Sequence, residues 1–441
     1  MPAGNALARA AQLLEGNHLT QAASIVKTLL ATTPDDPDAL HLLGLLTAKK
    51  GDAAAAEELL ERALSLRPSY PACRQNLGIL LMQSEPARAE QCFRRVVEDV
   101  PNATVAHRHL ATLAQQRKDL PGAARELKEV IRYAPLDEEA LRALAEVYQS
   151  MGDHRAELDT GLLILRLAPG DKKVFRAVSN AYHLVFDSLW FAPSEAKRKE
   201  TVRTIREWYA FDPKHPLARH MFGALTGTDV ADKAAPEYVA AYFDQFASQF
   251  DKVLSGLGYN APERVTEALA RVIPRANADL DIIDMGAGTG RLGPLVTPWK
   301  KTLTGVDLSP NMLEIARATG TYDHTHVGDL VDFLTAHPGS YDLATCLDTL
   351  VYFGKLLPLF GATARSLRSG GRFVGTIELL EAEGEQGFKL HERGRYAHTR
   401  AYLESSLAES GFVVDEVTRN VLRKELDAEV PGLLFLAHRK D

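Results

Sequence analysis

Cysteine is scarce. The three that occur in 441 residues, Cys73, Cys92 and Cys346, lie far apart and in no C-x-x-C spacing, which argues against both a disulfide framework and a zinc site. The paired histidines His107/His109 and His324/His326 have no further Cys or His ligands near them in sequence, so no metal is assigned. No apolar run reaches membrane-spanning length, and Met1 to Glu15 reads as an Ala/Leu amphipathic helix without a basic n-region. A cytoplasmic protein with no membrane partner is therefore expected. An excess of basic charge is missing too. Residues 1–235 carry 30 Lys+Arg and 30 Asp+Glu, leaving 21 and 28 for the remainder, so the second half holds the whole net charge of −7. An acidic half repels phosphate backbones, which argues against nucleic acid as a partner.

What is present begins with length: 441 residues suggest roughly two to three domains. Pro34, Pro68, Pro101, Pro135 and Pro169 recur with spacings of 34, 33, 34 and 34 residues. Small residues keep phase with them, Ala22, Ala56, Ala89 and Ala123, where paired helices must approach closely, and Gly16, Gly51 and Gly152 mark turns. One unit loses a residue at Ser84-Glu-Pro86. This pattern resembles the tetratricopeptide (TPR) repeat over about residues 3 to 170. Such arrays present a concave face that receives peptides, and the alternative is that this one serves assembly or a homodimer. From Asp171 to about Gly227 the helical pattern continues without the clean period, in two or three helices expected to cap the array. Thr226 to Pro236 reads as the linker.

The chemistry centres on Asp281-Ile-Ile-Asp-Met-Gly-Ala-Gly-Thr-Gly290, a short apolar strand breaking into a glycine turn. A dinucleotide fingerprint G-x-G-x-x-G needs a glycine where this chain has Arg291. Asp284 ahead of Gly286, Gly288 and Gly290 instead resembles motif I of class I S-adenosylmethionine-dependent methyltransferases. The following stretches keep that register. Thr302 to Asp307 is a strand ending in an acid, Ser309-Pro310 starts a helix, Gly328-Asp329-Leu330 follows, and Tyr341 to Asp348 is a further strand.

The resemblance implies S-adenosylmethionine as cofactor, with Asp307 on the ribose hydroxyls, Leu308 and Met312 near the adenine, and Asp329 with Leu330 at its amino group. Taken singly, each aspartate is also explained as a helix cap after a strand. Tyr242-Phe-Asp-Gln-Phe-Ala-Ser-Gln-Phe-Asp251 resembles the amino-terminal segment that many of these enzymes fold over the cofactor, which places Tyr242 there. With Gly394-Arg-Tyr-Ala-His-Thr399, it is similar to the bacterial TPR-containing methyltransferases.

The chain is thus expected to be an all-α TPR solenoid (1–170), a helical extension and linker (171–235) and an α/β Rossmann-like, seven-stranded methyltransferase domain (236–441). Phe412-Val-Val414 and Gly432 to Ala437 supply its last two strands, the seventh antiparallel. Methyl transfer needs mainly positioning and exclusion of water. An amine, imidazole or hydroxyl acceptor also gains from a base, for which Glu378, His398 and Asp348 are candidates, with Tyr396 to orient the acceptor. Arg395, in a locally basic tract, is the candidate anchor for a carboxylate. The segment 384–394 reads as an active-site loop. The expected activity is methyl transfer to an N or O atom of a peptide or protein acceptor recruited by the array. A small-molecule methyltransferase and a non-catalytic scaffold are the rivals.

Overall fold

The computed structural model describes residues 3–190, 194–273, 279–381, 387–425 and 428–441. It divides into two compact units, residues 1–192 and 193–441. In the first, five helix pairs follow one another: α1 (Ala3–Glu15) with α2 (Leu19–Thr32), α3 (Pro37–Lys49) with α4 (Ala53–Leu66), α5 (Pro71–Leu81) with α6 (Pro86–Asp99), α7 (Thr104–Gln116) with α8 (Leu120–Tyr133), and α9 (Glu138–Met151) with α10 (His154–Leu167). A longer helix, α11 (Lys172–Trp190), packs on α10.

The repeat has a local cause. Asp36, Asp52, Asp119, Asp137 and Asp153 each accept a backbone N–H of the helix they precede, a cap that contributes about 1 kcal/mol. Close approach within a pair needs small residues. A β-carbon on Gly78 would lie 2.8 Å from the Phe93 ring of the partner helix, and Ala56, Ala89 and Ala123 are fully buried. Arg108–Asp137 and Arg142–Asp171 link successive repeats, and Arg67–Asp38 ties the end of α4 to α3 within one pair, each across 29 residues. Such half-exposed pairs are worth roughly 0–1 kcal/mol each, so packing carries the stability of the array.

The second unit opens with α12 (Glu195–Phe211), α13 (Pro216–Thr226), α14 (Pro236–Gly256) and α15 (Ala261–Val272). Of the two or three helices expected to cap the array, α11 lies in the first unit, whereas α12 and α13 lie in the second. The stretch read as a linker is bound within the second unit: Ala234 N–H donates to the carbonyl of Tyr352 at 2.8 Å, and the Asp232 carbonyl accepts from Gly354 and Lys355 N–H at 2.8 and 2.9 Å.

An α/β alternation follows: β1 (Leu280–Met285), α16 (Gly293–Val296), β2 (Lys300–Asp307), α17 (Pro310–Ala318), β3 (His324–Val327), α18 (Leu330–Ala336), β4 (Tyr341–Cys346), α19 (Leu357–Ser366), β5 (Leu367–Leu379), β6 (Phe388–Leu390), β7 (Tyr396–His398), α20 (Arg400–Glu409), β8 (Phe412–Glu425) and β9 (Ala428–Arg439). The main sheet runs β3-β2-β1-β4-β5-β9-β8, with β9 antiparallel to both neighbours. These seven strands match the expected count, with the seventh antiparallel. A short β6/β7 hairpin is added where β7 pairs in parallel with Glu378 and Leu379 at the end of β5. The last two strands are longer than the sequence suggests, since the largely polar residues 415–425 and 428–431 continue the pairing through two register shifts. Both sheet faces are covered. Met285, Val306, Phe360, Phe373 and Phe435 form one apolar layer, and Ile282, Trp299, Leu303, Leu343 and Leu434 the other. Parallel strands buried on both sides read as continuous apolar runs, which is why β1 and β4 stand out in the sequence.

Candidate active site

The glycine turn leaves β1 with Gly286, Gly288 and Gly290 all at positive φ (+78°, +54° and +85°), a region that side chains with a β-carbon rarely enter. It is tied to β2, because Gly286 and Ala287 N–H both donate to the carbonyl of Val306, at 2.8 and 3.1 Å. The Asp307 carboxylate, at the carboxyl end of β2, accepts from Gly288 N–H and Ser309 N–H, one oxygen each at 2.9 Å. Burial raises its pKa despite these bonds. Ser309 caps α17 by accepting from Met312 N–H at 3.1 Å. Ligands of open α/β sheets bind at this edge, outside the carboxyl ends of the strands.

Asp284 is 3% exposed and accepts from the hydroxyls of Tyr322 at 2.7 Å and Thr345 at 3.0 Å. Burial pushes its pKa up to about 6. Tyr322 went unnoticed in the sequence. Its ring lies 2.8–2.9 Å from where β-carbons on Gly290, Gly293 and Gly305 would stand, so it occupies the space those glycines leave. No periodic signal marks a lone tyrosine in a loop.

Helix α14 crosses this turn. Asp244 accepts from the Ser309 hydroxyl at 2.5 Å and Asn311 N–H at 3.3 Å, and Asp251 accepts from the Thr289 hydroxyl at 2.7 Å. Phe243, Phe246 and Phe250 form edge-to-face contacts along the helix, and Phe243 meets Tyr352 at 5.7 Å. Tyr242 joins this row but is 45% exposed. A β-carbon on Gly288 would meet a single residue within 4 Å, Phe250 at 3.9 Å. Among the described residues the backbone is thus open at Gly288. These features fit an adenosyl group.

Other candidates are placed differently. Asp329 caps α18 through Val331 N–H (2.9 Å) and Asp332 N–H (3.4 Å), and its second oxygen takes Lys233 Nζ at 2.8 Å. Here the helix-cap explanation holds. Met312 is 1% exposed and Leu330 packs in the core, whereas Leu308 is half-buried.

At the ends of β4 and β5 stand Asp348 and Glu378. Asp348 has φ +50° and its N–H donates to Thr376 Oγ1 at 3.0 Å. Arg423 of β8, 1% exposed, donates to Asp348 Oδ1 at 2.7 Å and through its other terminal nitrogen to Glu378 Oε1. Arg395 approaches the same Glu378 oxygen at 3.7 Å. The sequence reading missed Arg423, which lies in the polar stretch of the last hairpin.

His398 and Tyr396 belong to the interior. His398 is fully buried, with Nε2 donating to the carbonyl of Phe353 at 2.8 Å, and burial lowers its pKa to about 4. Tyr396, also fully buried, donates its hydroxyl to the carbonyl of Ala231 at 2.7 Å. Of the segment read as an active-site loop, residues 384–386 lie outside the described residues; the rest forms β6 and the turn before β7, where Gly394's carbonyl accepts from His220 Nε2 at 2.8 Å.

Comparison with known families agrees with both halves. Residues 283–375 match a methyltransferase domain model, and residues 7–71, 48–113 and 110–172 match tetratricopeptide repeat models. The chain is 28% identical over 176 residues to a ubiquinone biosynthesis O-methyltransferase from Thiobacillus denitrificans, covering 35% of this chain and 76% of that enzyme. It is 30% identical over 127 residues to the enzyme of that name from Xanthomonas campestris, covering 27% of this chain and 52% of that one, about half its length. Similar solved structures include an S-adenosylmethionine-dependent methyltransferase from Mesorhizobium loti (24% identity, TM-score 0.32, 39% of this chain and 96% of that one). The magnesium protoporphyrin IX methyltransferase from Synechocystis is another (17%, TM-score 0.36, 47% and 100%). The chain joins tetratricopeptide repeats to a class I S-adenosylmethionine-dependent methyltransferase domain.

Proposed function

We propose that this protein transfers a methyl group to a nitrogen or oxygen of an acceptor, a peptide or protein brought by the TPR array. The observation that carries the cofactor half is the Asp307 carboxylate, held by Gly288 and Ser309 N–H beside the positive-φ turn and under α14. In this reading Asp307 holds the ribose, the Gly286–Gly290 turn admits the rest of the cofactor, and Leu308 and Tyr242 lie at its rim. When bound, S-adenosylmethionine supplies a methyl carbon activated by positive sulfur. The chain's part is then to orient the acceptor, to exclude water with α14 and to take up a proton where the acceptor carries one. Asp348 and Glu378 are the bases in this proposal. His398 and Tyr396 serve packing, because their polar tips are bonded to backbone carbonyls.

The array contributes a groove of about 700 Å³ on the inner helices α1, α3 and α5, lined by Leu7, Ala11, Leu42, Leu45, Tyr70 and Ile79. Its apolar lining supports peptide capture. The names of the relatives favour a second reading, a small-molecule O-methyltransferase whose repeats serve assembly or a homodimer. Among the described residues no helix is long and apolar enough to cross a membrane.

Calorimetric titration with S-adenosylmethionine and S-adenosylhomocysteine, with NAD as control, tests the cofactor half: binding of the first pair alone is expected, and no binding of either defeats it. A chain beginning at residue 194 tests the array. Undiminished activity on the natural acceptor would remove its recruiting role and leave the second reading.

A further inference from the structure

Arg423 places Asp348 and Glu378 side by side. One carboxylate oxygen of each is bound by neighbouring nitrogens of a single planar guanidinium, a rigid fork that sets their separation and orientation. The arginine is 1% exposed, while the two carboxylate side chains are 21% and 11% exposed, so they stand between the buried cation and the open side. Among the described residues, Asp348 Oδ2 and Glu378 Oε2 accept no hydrogen bond. The pair also adjoins the cofactor turn: a β-carbon on Gly286 would strike the side chain of Thr349, the residue after Asp348. Tyr259 and Tyr352, both half-buried, lie within electrostatic reach of Asp348, and desolvation raises both phenol pKa values, so both stay neutral at neutral pH.

Resting on the methyltransferase reading, we infer that this pair is the acceptor subsite and that it takes a primary amine. Two outward carboxylate oxygens offer two hydrogen-bond acceptors to one nitrogen, which a primary ammonium fills and a hydroxyl, with its single hydrogen, does not. Charge points the same way. Arg423 and Arg395 balance the two carboxylates in net charge, so what favours an amine is the local charge: it gains positive charge as it reacts, next to the two carboxylate oxygens that are not bound to a guanidinium. The rings of Tyr259 and Tyr352 are compatible with a cation. The bound ammonium first gives a proton to one carboxylate. Its nitrogen lone pair then forms the bond to the methyl carbon, whose bond to sulfur breaks with its electrons passing to sulfur. The product is a methylated ammonium, and the carboxylic acid returns its proton to water. The matched methyltransferase domain model ends at residue 375, before Glu378 and Arg423.

The test uses the full chain saturated with S-adenosylhomocysteine. It is titrated with lysine-containing peptides and with 1,4-diaminobutane, each beside its N-acetylated form, and catechol serves as oxygen probe. Transfer of labelled methyl from S-adenosylmethionine to the same probes is the second readout. Expected are binding and labelling of a free amine and not of its acetylated form, with peptide against diamine telling a protein acceptor from a small one. Glu378→Gln and Asp348→Asn, which keep shape and remove charge, should weaken amine binding at least tenfold and leave S-adenosylhomocysteine affinity within twofold. Labelling of catechol in place of the amines, or retained amine affinity in both variants, overturns the assignment. So does failure of every amine to bind while S-adenosylhomocysteine binds. Failure of S-adenosylhomocysteine itself to bind faults the cofactor reading beneath it.

Discussion

The hydroxyl of Thr289, in the middle of the glycine turn, donates to Asp251 of α14 at 2.7 Å, tying the turn to the helix that crosses it. Asp244 makes the corresponding tie to Ser309, two residues beyond Asp307. Helix α14 is therefore joined to the glycine turn and to the start of α17 by two side-chain hydrogen bonds, one from its middle and one from its last turns.

Asp251→Ala should loosen the cover without unfolding the domain. Losing one hydrogen bond worth about 1 kcal/mol corresponds to a loss of S-adenosylhomocysteine affinity of roughly fivefold. Stopped-flow dissociation is the check, and the change is expected in the off-rate, since α14 stands over the ligand.

Asp307→Ala should cut affinity for both S-adenosyl ligands by about 10- to 100-fold, as expected for loss of charge-assisted hydrogen bonds worth about 1.5–3 kcal/mol. The helical array should keep its far-ultraviolet dichroism and melt unchanged. Calorimetry alongside a thermal scan separates the two outcomes.

Asp284 predicts an inverse pH dependence. Its folded pKa, about 6, lies above the ordinary aspartate value of 3.8, so between those values the folded state holds a proton that the unfolded chain has lost. Stability from this group is fully present below about pH 3.8 and is lost as pH rises through about 6. The difference is about 3 kcal/mol by linkage. Denaturant melts of wild type and Asp284→Asn at pH 4.5 and 7 should show wild type losing ground to the variant at the higher pH. Parallel curves would remove the burial argument.

Gly78→Leu should damage the array alone. The new side chain meets the Phe93 ring, with its β-carbon 2.8 Å away, and overpacking of this kind costs about 1–3 kcal/mol. A lowered melting temperature with intact S-adenosylhomocysteine binding is expected. Loss of cofactor binding would show that the turn depends on the repeats.

Much of the fold was legible because its signals are local. A proline every 33 to 34 residues ends a helix wherever it falls, and an aspartate at the start of α3, α4, α8, α9 and α10 caps each of them whatever lies around it. The aspartates after strands show the limit. Asp307 and Asp329 look alike in the sequence, yet Asp307 receives the amides of the glycine turn while Asp329 caps α18 and binds Lys233, 96 residues away. His398 invited a catalytic role by residue type, and burial between β6 and α20 removes it from solvent.

By itself the sequence determined the repeat period, the alternation of strand and helix and the positive-φ glycine turn. All three follow from steric and hydrogen-bonding rules that act within a few residues. Only the tertiary structure decided which polar groups share a site. Tyr322 reaches Asp284 across 38 residues, and Arg423 reaches Asp348 across 75. No local rule links such pairs. They meet because parallel strands require long crossovers and because the closing antiparallel hairpin brings β8 back beside the carboxyl ends of β4 and β5, where a buried guanidinium must find its counter-charges.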